Sequence, residues 1–307
     1  MAPVVLFIYN RPSHTQQTLE ALSANTLAAE SELFIYADGP KDNATPDQLE
    51  RIKQTRDIAR SKKWCKSVTI IESEKNKGLA NSIISGVTEI VNKYGKIIVL
   101  EDDIVTGKYF LEYMNTALEK YKDEKKVWDV SGWNENPNKF GRKASFFLPV
   151  NSCWSWATWS DRWCYFKKDP AYYMKLFSNG MIKKFNVNNS YDFFSQIVSN
   201  YNGTMNTWAI FWYAAIFEHG GLSLRPSSSL VKNIGFDNSG EHCGSDDYYN
   251  RLINDIDCKI DVYPDRIEEN KKALKLFSKY YISKGYIKRL YQKVISIIKN
   301  IFAVNLL

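Results

Sequence analysis

Short apolar runs alternate with longer amphipathic stretches through the first 121 residues. Val4 to Tyr9, Leu33 to Ala37, Val68 to Ile71 and Ile97 to Leu100 are rich in β-branched and aromatic residues and read as strands. Ser13 to Ala24, Thr45 to Arg60, Leu79 to Tyr94 and Tyr109 to Tyr121 read as helices. Ser13 or Pro12 lies near the start of the first helix. Thr45 is placed to cap the second, with Pro46 at its first position. Strands alternating with helices predict an α/β fold with a mostly parallel sheet.

The pattern then changes. Trp128 to Trp163 is rich in Trp, Ser, Asn and Gly and has weak periodicity. Ser190 to Glu218 reads as helical, and Pro226 to Gly244 as a loop. There is no internal repeat and no low-complexity linker before Glu269. After Gly285 a clean stripe returns. Ile287, Leu290, Tyr291, Val294, Ile295, Ile298, Ile301 and Phe302 share one helical face, and Lys288, Arg289, Lys293 and Lys299 lie on the other. A basic amphipathic helix reads as a membrane-surface element. A helix packed on the body or on a second subunit would carry the same stripe.

The most informative stretch is Ile97-Ile98-Val99-Leu100-Glu101-Asp102-Asp103-Ile104, where an apolar strand ends in three carboxylates. In open α/β sheets, ligands bind beyond the carboxyl ends of the strands. Carboxylates there suit a hard divalent cation, Mn²⁺ or Mg²⁺, held against substrate phosphates. A strand ending at solvent would tolerate acidic residues too, but three in succession favour the metal.

Charge and cysteine content narrow the picture. The chain of 307 residues carries 41 Lys and Arg against 34 Asp and Glu. After Glu269 there is no acidic residue, while nine basic residues follow from Lys271 to Lys299. The remainder has 32 basic and 34 acidic side chains, a net charge of −2. The basic character belongs to the tail, which argues against nucleic acid as a partner. Cys65, Cys153, Cys164, Cys243 and Cys258 are scattered, with no Cys-x-x-Cys pair. This suggests a reducing compartment, with neither a zinc site nor a disulfide framework. No apolar run approaches the roughly 18 residues of a membrane span. Pro3 to Tyr9 reads as a first strand rather than a signal peptide.

The strand ending in Glu101-Asp102-Asp103, late in an N-terminal α/β unit, resembles the Asp-x-Asp motif of GT-A glycosyltransferases. Other stretches fit in order. Val5 through Arg11 is similar to the first strand of that fold, whose Asn-Arg end lies near the nucleotide. Tyr36-Ala37-Asp38-Gly39 is similar to its second strand end, where an acidic residue addresses the base. Val130 through Asn136 and Trp154 through Trp159 follow the motif as acceptor-side segments do. Leu224-Arg225-Pro226, Ile234-Gly235-Phe236 and Glu241-His242-Cys243-Gly244 are similar to its closing stretch. The resemblance covers about residues 3–245. It points to N-acetylglucosaminyltransferase I type enzymes and to bacterial polysaccharide (O-antigen and capsule) glycosyltransferases.

It implies a GT-A, Rossmann-like nucleotide-sugar-binding mixed sheet flanked by helices, followed by the basic amphipathic helix. The expected division is 1–268 as the GT-A domain, with 1–127 the nucleotide-sugar half and 128–268 the acceptor half, and 269–307 as the tail. The implied activity is metal-dependent hexosyl or N-acetylhexosaminyl transfer, with inversion favoured, from a UDP-sugar to a glycan or glycolipid acceptor. The implied setting is lipid-linked surface polysaccharide synthesis at the cytoplasmic face of the cell membrane. Asp103 is the expected direct metal ligand, joined by His242. Asp102 and Glu101 would address ribose or sugar hydroxyls or support the site. Arg11 would meet a phosphate or stack near the base, although it also suits a solvated turn before Pro12. Asp38 would accept from uracil N3–H, although an Asp-Gly turn needs no ligand. Asn76 and Asn81 flank a helix start suited to an anion or ribose. Trp133, Asn134, Trp156 and Trp208 are the expected acceptor contacts, with most of the Trp cluster in the core.

The base is the weakest point of the pattern. The family places a carboxylate just before a Trp, and the matching stretch is Met205-Asn206-Thr207-Trp208. Asn206 and Thr207 can position a hydroxyl but cannot take its proton. Asp161, Asp192 and Glu218 are the substitutes nearest in sequence. The alternative is a catalytically inactive glycan- or nucleotide-sugar-binding protein derived from this fold. A nucleotidylyltransferase would need a Gly-rich loop after the first strand, and Tyr9-Asn10-Arg11-Pro12 is not one.

Overall fold

The computed structural model describes residues 1–135, 139–240, 250, 253 and 255–283. The first half is a succession of β1 (Val4–Ile8), α1 (Pro12–Ser23), β2 (Glu32–Ala37), α2 (Pro46–Arg60), β3 (Ser67–Glu72), α3 (Leu79–Tyr94) and β4 (Lys96–Glu101). β5 (Ile104–Thr106), α4 (Phe110–Lys120) and β6 (Val127–Ser131) follow. The second half contains β7 (Ser145–Leu148), β8 (Trp156–Trp159), α5 (Ser160–Trp163), α6 (Pro170–Leu176), α7 (Asn179–Phe185), α8 (Phe194–Tyr201), α9 (Ala209–Glu218), β9 (Leu222–Pro226) and β10 (Val231–Asn233). Residues 271–283 form a further helix.

Eight strands form one mixed sheet in the order β3-β2-β1-β4-β8-β6-β9-β7. β1 pairs in parallel with β2 and β4, and β2 with β3. β8 enters antiparallel between β4 and β6. Central strands are apolar on both faces because both faces are covered. In β1, Val4, Leu6 and Ile8 enter one core cluster with residues of α1 and α4, while Val5 and Phe7 enter another with Ile83, Val87 and Ile90 of α3. β4 divides the same way, with Ile98 and Leu100 on one side and Ile97 and Val99 on the other.

Helix ends follow local chemistry. Thr45 and Gln48 form a reciprocal capping box, with Pro46 in the first turn of α2. α3 stops at Gly95, whose φ of 76° is the left-handed C-terminal conformation that glycine favours. The stretch expected to be one helix from Ser190 to Glu218 is instead α8 and α9, separated at Gly203, where φ is 71°. The expected loop after Pro226 contains β10, which pairs antiparallel with β5 to make a separate two-stranded ribbon.

A third core cluster lies under α6 to α9 and includes Tyr173, Phe177, Phe185, Ile197 and Phe211. Ala273 and Phe277, from helix 271–283, are buried in the same cluster. The stripe from Ile287 to Phe302 lies outside the described residues. Among the described residues no helix is long and apolar enough to cross a membrane.

Candidate active site

A cavity of about 250 Å³ opens at the carboxyl ends of β1, β2 and β4. Its lining includes Phe7, Arg11, Tyr36, Asp38, Lys41, Asn76, Glu101, Asp102 and Asp103, closed by Ser239 and Gly240. The acidic motif sits where the chain leaves the large sheet for the ribbon. Glu101 ends β4, Asp102 and Asp103 make the turn, and Ile104 begins β5. α1 fixes this turn through Thr18, whose hydroxyl donates to the Asp102 carbonyl at 2.8 Å. The return of β10 fixes it from the other side, with Ile234 N–H donating to the Asp103 carbonyl at 2.9 Å.

Arg11 bridges the carboxylates. Its Nε donates to Asp102 Oδ2 at 3.2 Å, its Nη2 meets the other Asp102 oxygen, and Nη2 lies 3.1 Å from Asp103 Oδ2. Burial disfavours its charge, but Asp102 and Asp103 outweigh that and raise its pKa. Burial, with Asp103 and Asp102 adding like charge, pushes Glu101 up to about 8. Burial also raises Asp103, against the pull of Arg11. Three carboxylates therefore face one paired guanidinium.

Gly235 closes over the motif. A Cβ there would lie 2.3 Å from Asp103 Oδ2 and 3.1 Å from Arg11 Nη1, so only glycine permits this approach. His14 Nε2 lies 3.2 Å from both the Ile234 carbonyl and Asp237 Oδ2, and this tethers the closing segment to α1.

Asp38 has a different role from the expected one. Its Oδ1 accepts from the N–H groups of Gly39 and Lys77 at 2.9 and 2.8 Å. Its Oδ2 accepts from Gly78 N–H at 3.0 Å and Asn76 Nδ2 at 3.1 Å. All four acceptor positions of the carboxylate are engaged, so Asp38 braces the loop into α3 rather than offering an oxygen to a base. Asn76 lines the cavity as part of that brace, and donates also to the Gly39 carbonyl at 2.9 Å. Asn81 does not reach the cavity: it is exposed and donates to the Lys77 carbonyl at 2.9 Å.

A second cavity, of about 190 Å³, is lined by Trp133, Glu135, Asn151, Ser152, Trp154, Phe193, Gln196 and Tyr281, among others. Trp154 joins this cavity to the closing segment. Its ring packs edge-on against Trp133 at 4.4 Å and against Phe236, next to Gly235, at 5.6 Å. Glu135 is buried and accepts from Arg225 Nη1 at 3.2 Å with both oxygens.

Other expected residues fall elsewhere. Trp156 and Trp208 stack at 5.1 Å within the core and line neither cavity. Asn134 is buried and donates to the Ser227 carbonyl at 3.0 Å. Asp161 is exposed and paired with Lys125 and Arg162. Asp192 is exposed and accepts from Ser195 N–H at 3.2 Å at the start of α8. Glu218 accepts from the Tyr172 hydroxyl. Asn206 is exposed and accepts from Lys168, and Thr207 N–H donates to Asn200 at 3.1 Å. None of these five lines either cavity. His242 lies outside the described residues. Sequence reasoning missed Lys41, Glu135 and the Phe7–Tyr36 pair, whose rings stack at 5.4 Å on the cavity wall. Glu135 lies inside the motif-bearing segment Val130 to Asn136 and was legible there; the Phe7–Tyr36 pair depends on strand register.

Among the described residues no group of three or more His, Cys, Asp and Glu side chains encloses a metal ion. The residues present nonetheless fit one. Mg²⁺ and Mn²⁺ are commonly held by one or two carboxylates with substrate phosphates completing the shell. Asp102 and Asp103 face the cavity in that arrangement, with negative charge in excess of Arg11.

A mixed sheet with an acidic turn at the end of its fourth strand, and a ribbon closing over that turn, defines the GT-A class. The chain belongs to glycosyl transferase family 2, whose family pattern matches residues 4–179. No curated protein matches it in sequence. Solved structures give distant matches. S. aureus TarS is 13% identical over 50% of this chain, with a TM-score of 0.33. The galactosyltransferase LgtC, in complex with donor and acceptor sugar analogues, is 8% identical over 72% of each chain, with a TM-score of 0.36. Mouse xyloside xylosyltransferase 1 is 11% identical, covering 72% of this chain and 83% of that one, with a TM-score of 0.39. The chain spans 26% of TarS and 35% of its 1–349 fragment, which was solved with UDP.

Proposed function

We propose that the chain is a metal-dependent glycosyltransferase that moves a sugar from a UDP-sugar to a glycan acceptor. The observation that carries this reading is the meeting of Arg11, Asp102, Asp103 and the Asp38-braced loop around one cavity at the strand ends. Asp103, with Asp102 and Glu101 beside it, would hold Mn²⁺ or Mg²⁺. The cation, when bound, supplies Lewis-acid neutralisation of the leaving diphosphate. Arg11 and Lys41 add positive charge on the same wall. Phe7 and Tyr36 offer an aromatic surface to the base.

The acceptor is assigned to the second cavity, with Trp133 and Trp154 against the apolar face of a sugar. Glu135 is the carboxylate there. As the bond from C1 to the acceptor oxygen forms and the C1–phosphate bond breaks, Glu135 takes the acceptor's hydroxyl proton and the nucleoside diphosphate departs. The outcome is inversion. We assign residues 1–268 to the catalytic domain and 269–307 to a tail. The acidic-free tail supports a peripheral seat on the inner membrane face, beside a lipid-linked acceptor of bacterial surface polysaccharide synthesis.

A second reading, a nucleotide-sugar-binding protein without turnover, is favoured by Asn206 standing where the family pattern has a carboxylate. A thermal-shift panel of nucleotide sugars with and without Mn²⁺, on wild type and Asp103→Ala, tests the donor site. Stabilisation by one UDP-sugar, dependent on Mn²⁺ and lost in the variant, is the expected result. No response to any nucleotide would overturn the glycosyltransferase reading. A response with no transfer or donor hydrolysis would select the binding protein.

A further inference from the structure

The second cavity opens beside an exposed surface that the donor chemistry does not use. Tyr281, from helix 271–283, lines the cavity and packs against Tyr191 at 5.0 Å and Phe193 at 6.0 Å. The loop between α7 and α8 therefore meets the end of that helix. Around this junction Tyr191 is 39% exposed and Ile282 57% exposed. Lys183 and Lys184 are exposed in the last turn of α7, which leads into this loop, and Lys279 is exposed two residues before Tyr281. The loop itself is constrained: Val187, Asn188 and Asn189 hold φ of 48°, 54° and 64° in succession. For a β-branched residue this is a strained conformation that persists only when the surroundings impose it.

Charge decides what such a surface fits. Between Pro170 and Phe217 the only acidic residue is Asp192, and none follows Glu269. Helix 271–283 buries Ala273, Phe277 and Tyr280 on one face and presents Lys272, Lys275, Lys279 and Ile282 on the other. Exposed aromatic and aliphatic groups on elements that also expose lysines match an anionic bilayer, in which apolar groups enter the headgroup boundary and lysines meet lipid phosphates.

We propose that Lys183, Lys184, Tyr191, Lys279 and Ile282 form a docking surface for anionic lipid headgroups at the mouth of the second cavity. This rests on the acceptor being lipid-linked, and gives the reason the acceptor cavity lies where it does: the sugar enters beside Tyr281 while its lipid stays in the bilayer. The surface joins α7 and the loop after it to helix 271–283, the part of the tail that packs on the third core cluster, and does not use the basic sequence after Ser283.

The test is co-sedimentation of the full chain with phosphatidylcholine vesicles, with or without phosphatidylglycerol. A triple variant, Lys183→Ala, Lys184→Ala and Lys279→Ala, is compared with Lys53→Ala, Lys62→Ala and Lys63→Ala on the distant α2 side. Binding to the anionic vesicles alone is expected. At about 1 kcal/mol per lysine, the patch variant should lose partitioning by on the order of 100-fold, and the control should keep it. Equal binding by patch variant and wild type, equal loss in the control, or no binding by wild type would each overturn the proposal. Dimerisation abolished by the patch variant, without vesicle binding, would assign the surface to a second copy instead. UDP-dependent thermal stabilisation, measured on the same samples, reports the donor site separately and stays unchanged in the patch variant.

Discussion

Arg11 and Asp102 are held together by a two-pronged ion pair, with Nε on one carboxylate oxygen and Nη2 on the other. The guanidinium occupies the charge-balancing position that a cation would share, and its Nη2 reaches Asp103 as well. Removing it leaves the acidic turn uncompensated. Arg11→Ala is therefore expected to lower stability in chelator by about 2 kcal/mol, below the range for a fully buried pair because Arg11 is partly accessible. Mn²⁺ should then raise its melting temperature more than it raises that of wild type. Melting curves for both proteins in EDTA and in Mn²⁺ would check this. Indistinguishable curves in EDTA would remove Arg11 from its stabilising role.

Asp38 gathers four donors from the loop that leads into α3. Asp38→Ala leaves three backbone N–H groups and Asn76 without their acceptor. The expected loss is about 3 kcal/mol, the scale of leaving donors to a charged group unpaired. Asp38→Asn should recover only part of it, because an amide nitrogen would face donors. Urea unfolding of both variants measures the loss, and UDP titration should show weakened binding as the loop loosens. An unchanged unfolding midpoint in Asp38→Ala would refute the brace.

The first half of this fold was legible because its information is local. The strands fall within a residue or two of their apolar runs, and Thr45, Pro46 and Gly95 mark helix ends through their own backbone preferences. The second half was not, because Trp156 and Trp159 belong to a strand placed by antiparallel pairing between β4 and β6. Burial on both faces erases periodicity in such a strand. β10 has three residues and exists only through its partner β5. The site divided along the same line. Arg11 and Glu101 to Asp103 follow strand ends and line the first cavity, whereas Asp161, Asp192, Asn206 and Glu218, chosen for nearness in sequence, line neither cavity.

Gly235→Ala isolates the closing segment. The added methyl would press on Asp103 and Arg11 at contact distances that require one of them to move. The strain falls on the Arg11–Asp103 contact and not on the core, so the melting temperature without ligand should fall by less than in Arg11→Ala. Mn²⁺-dependent UDP affinity should fall at least tenfold, about 1.4 kcal/mol. Isothermal titration with UDP and Mn²⁺ provides the comparison. Wild-type affinity in the variant would show that this approach is not needed for the donor site.

Asp129 is fully buried in β6, accepts from the Ser223 hydroxyl, and burial pushes it up to about 7 from an ordinary aspartate value near 3.8. The folded state therefore binds this proton more tightly than the unfolded chain. The stability it confers is complete below pH 3.8 and is lost as pH rises through 7. Ionising Asp129 within the fold is expected to cost roughly 4 kcal/mol at most. Asp129→Asn cannot ionise, so its melting temperature relative to wild type should be highest at pH 8, fall steadily as the pH drops through 5, and level off only below about pH 3.8. Parallel melting-temperature profiles for the two proteins across this window would contradict the assignment.

Trp156 and Trp154 separate packing from recognition within one short segment. Trp156 is 1% exposed and lies between Trp163, Trp208 and Trp212. Its truncation opens a large core cavity, and Trp156→Ala should cost about 3–5 kcal/mol. Trp154 is only partly buried, lines the second cavity and touches Phe236 of the closing segment. Trp154→Ala should cost about 1 kcal/mol, because part of that surface is already solvated. Its larger effect should be on transfer: an increased KM for acceptor with UDP-sugar binding retained. The discriminating measurement pairs chemical denaturation with acceptor kinetics for both variants. If Trp154→Ala unfolds as readily as Trp156→Ala while leaving acceptor KM unchanged, Trp154 is a packing residue and the second cavity loses its sugar platform.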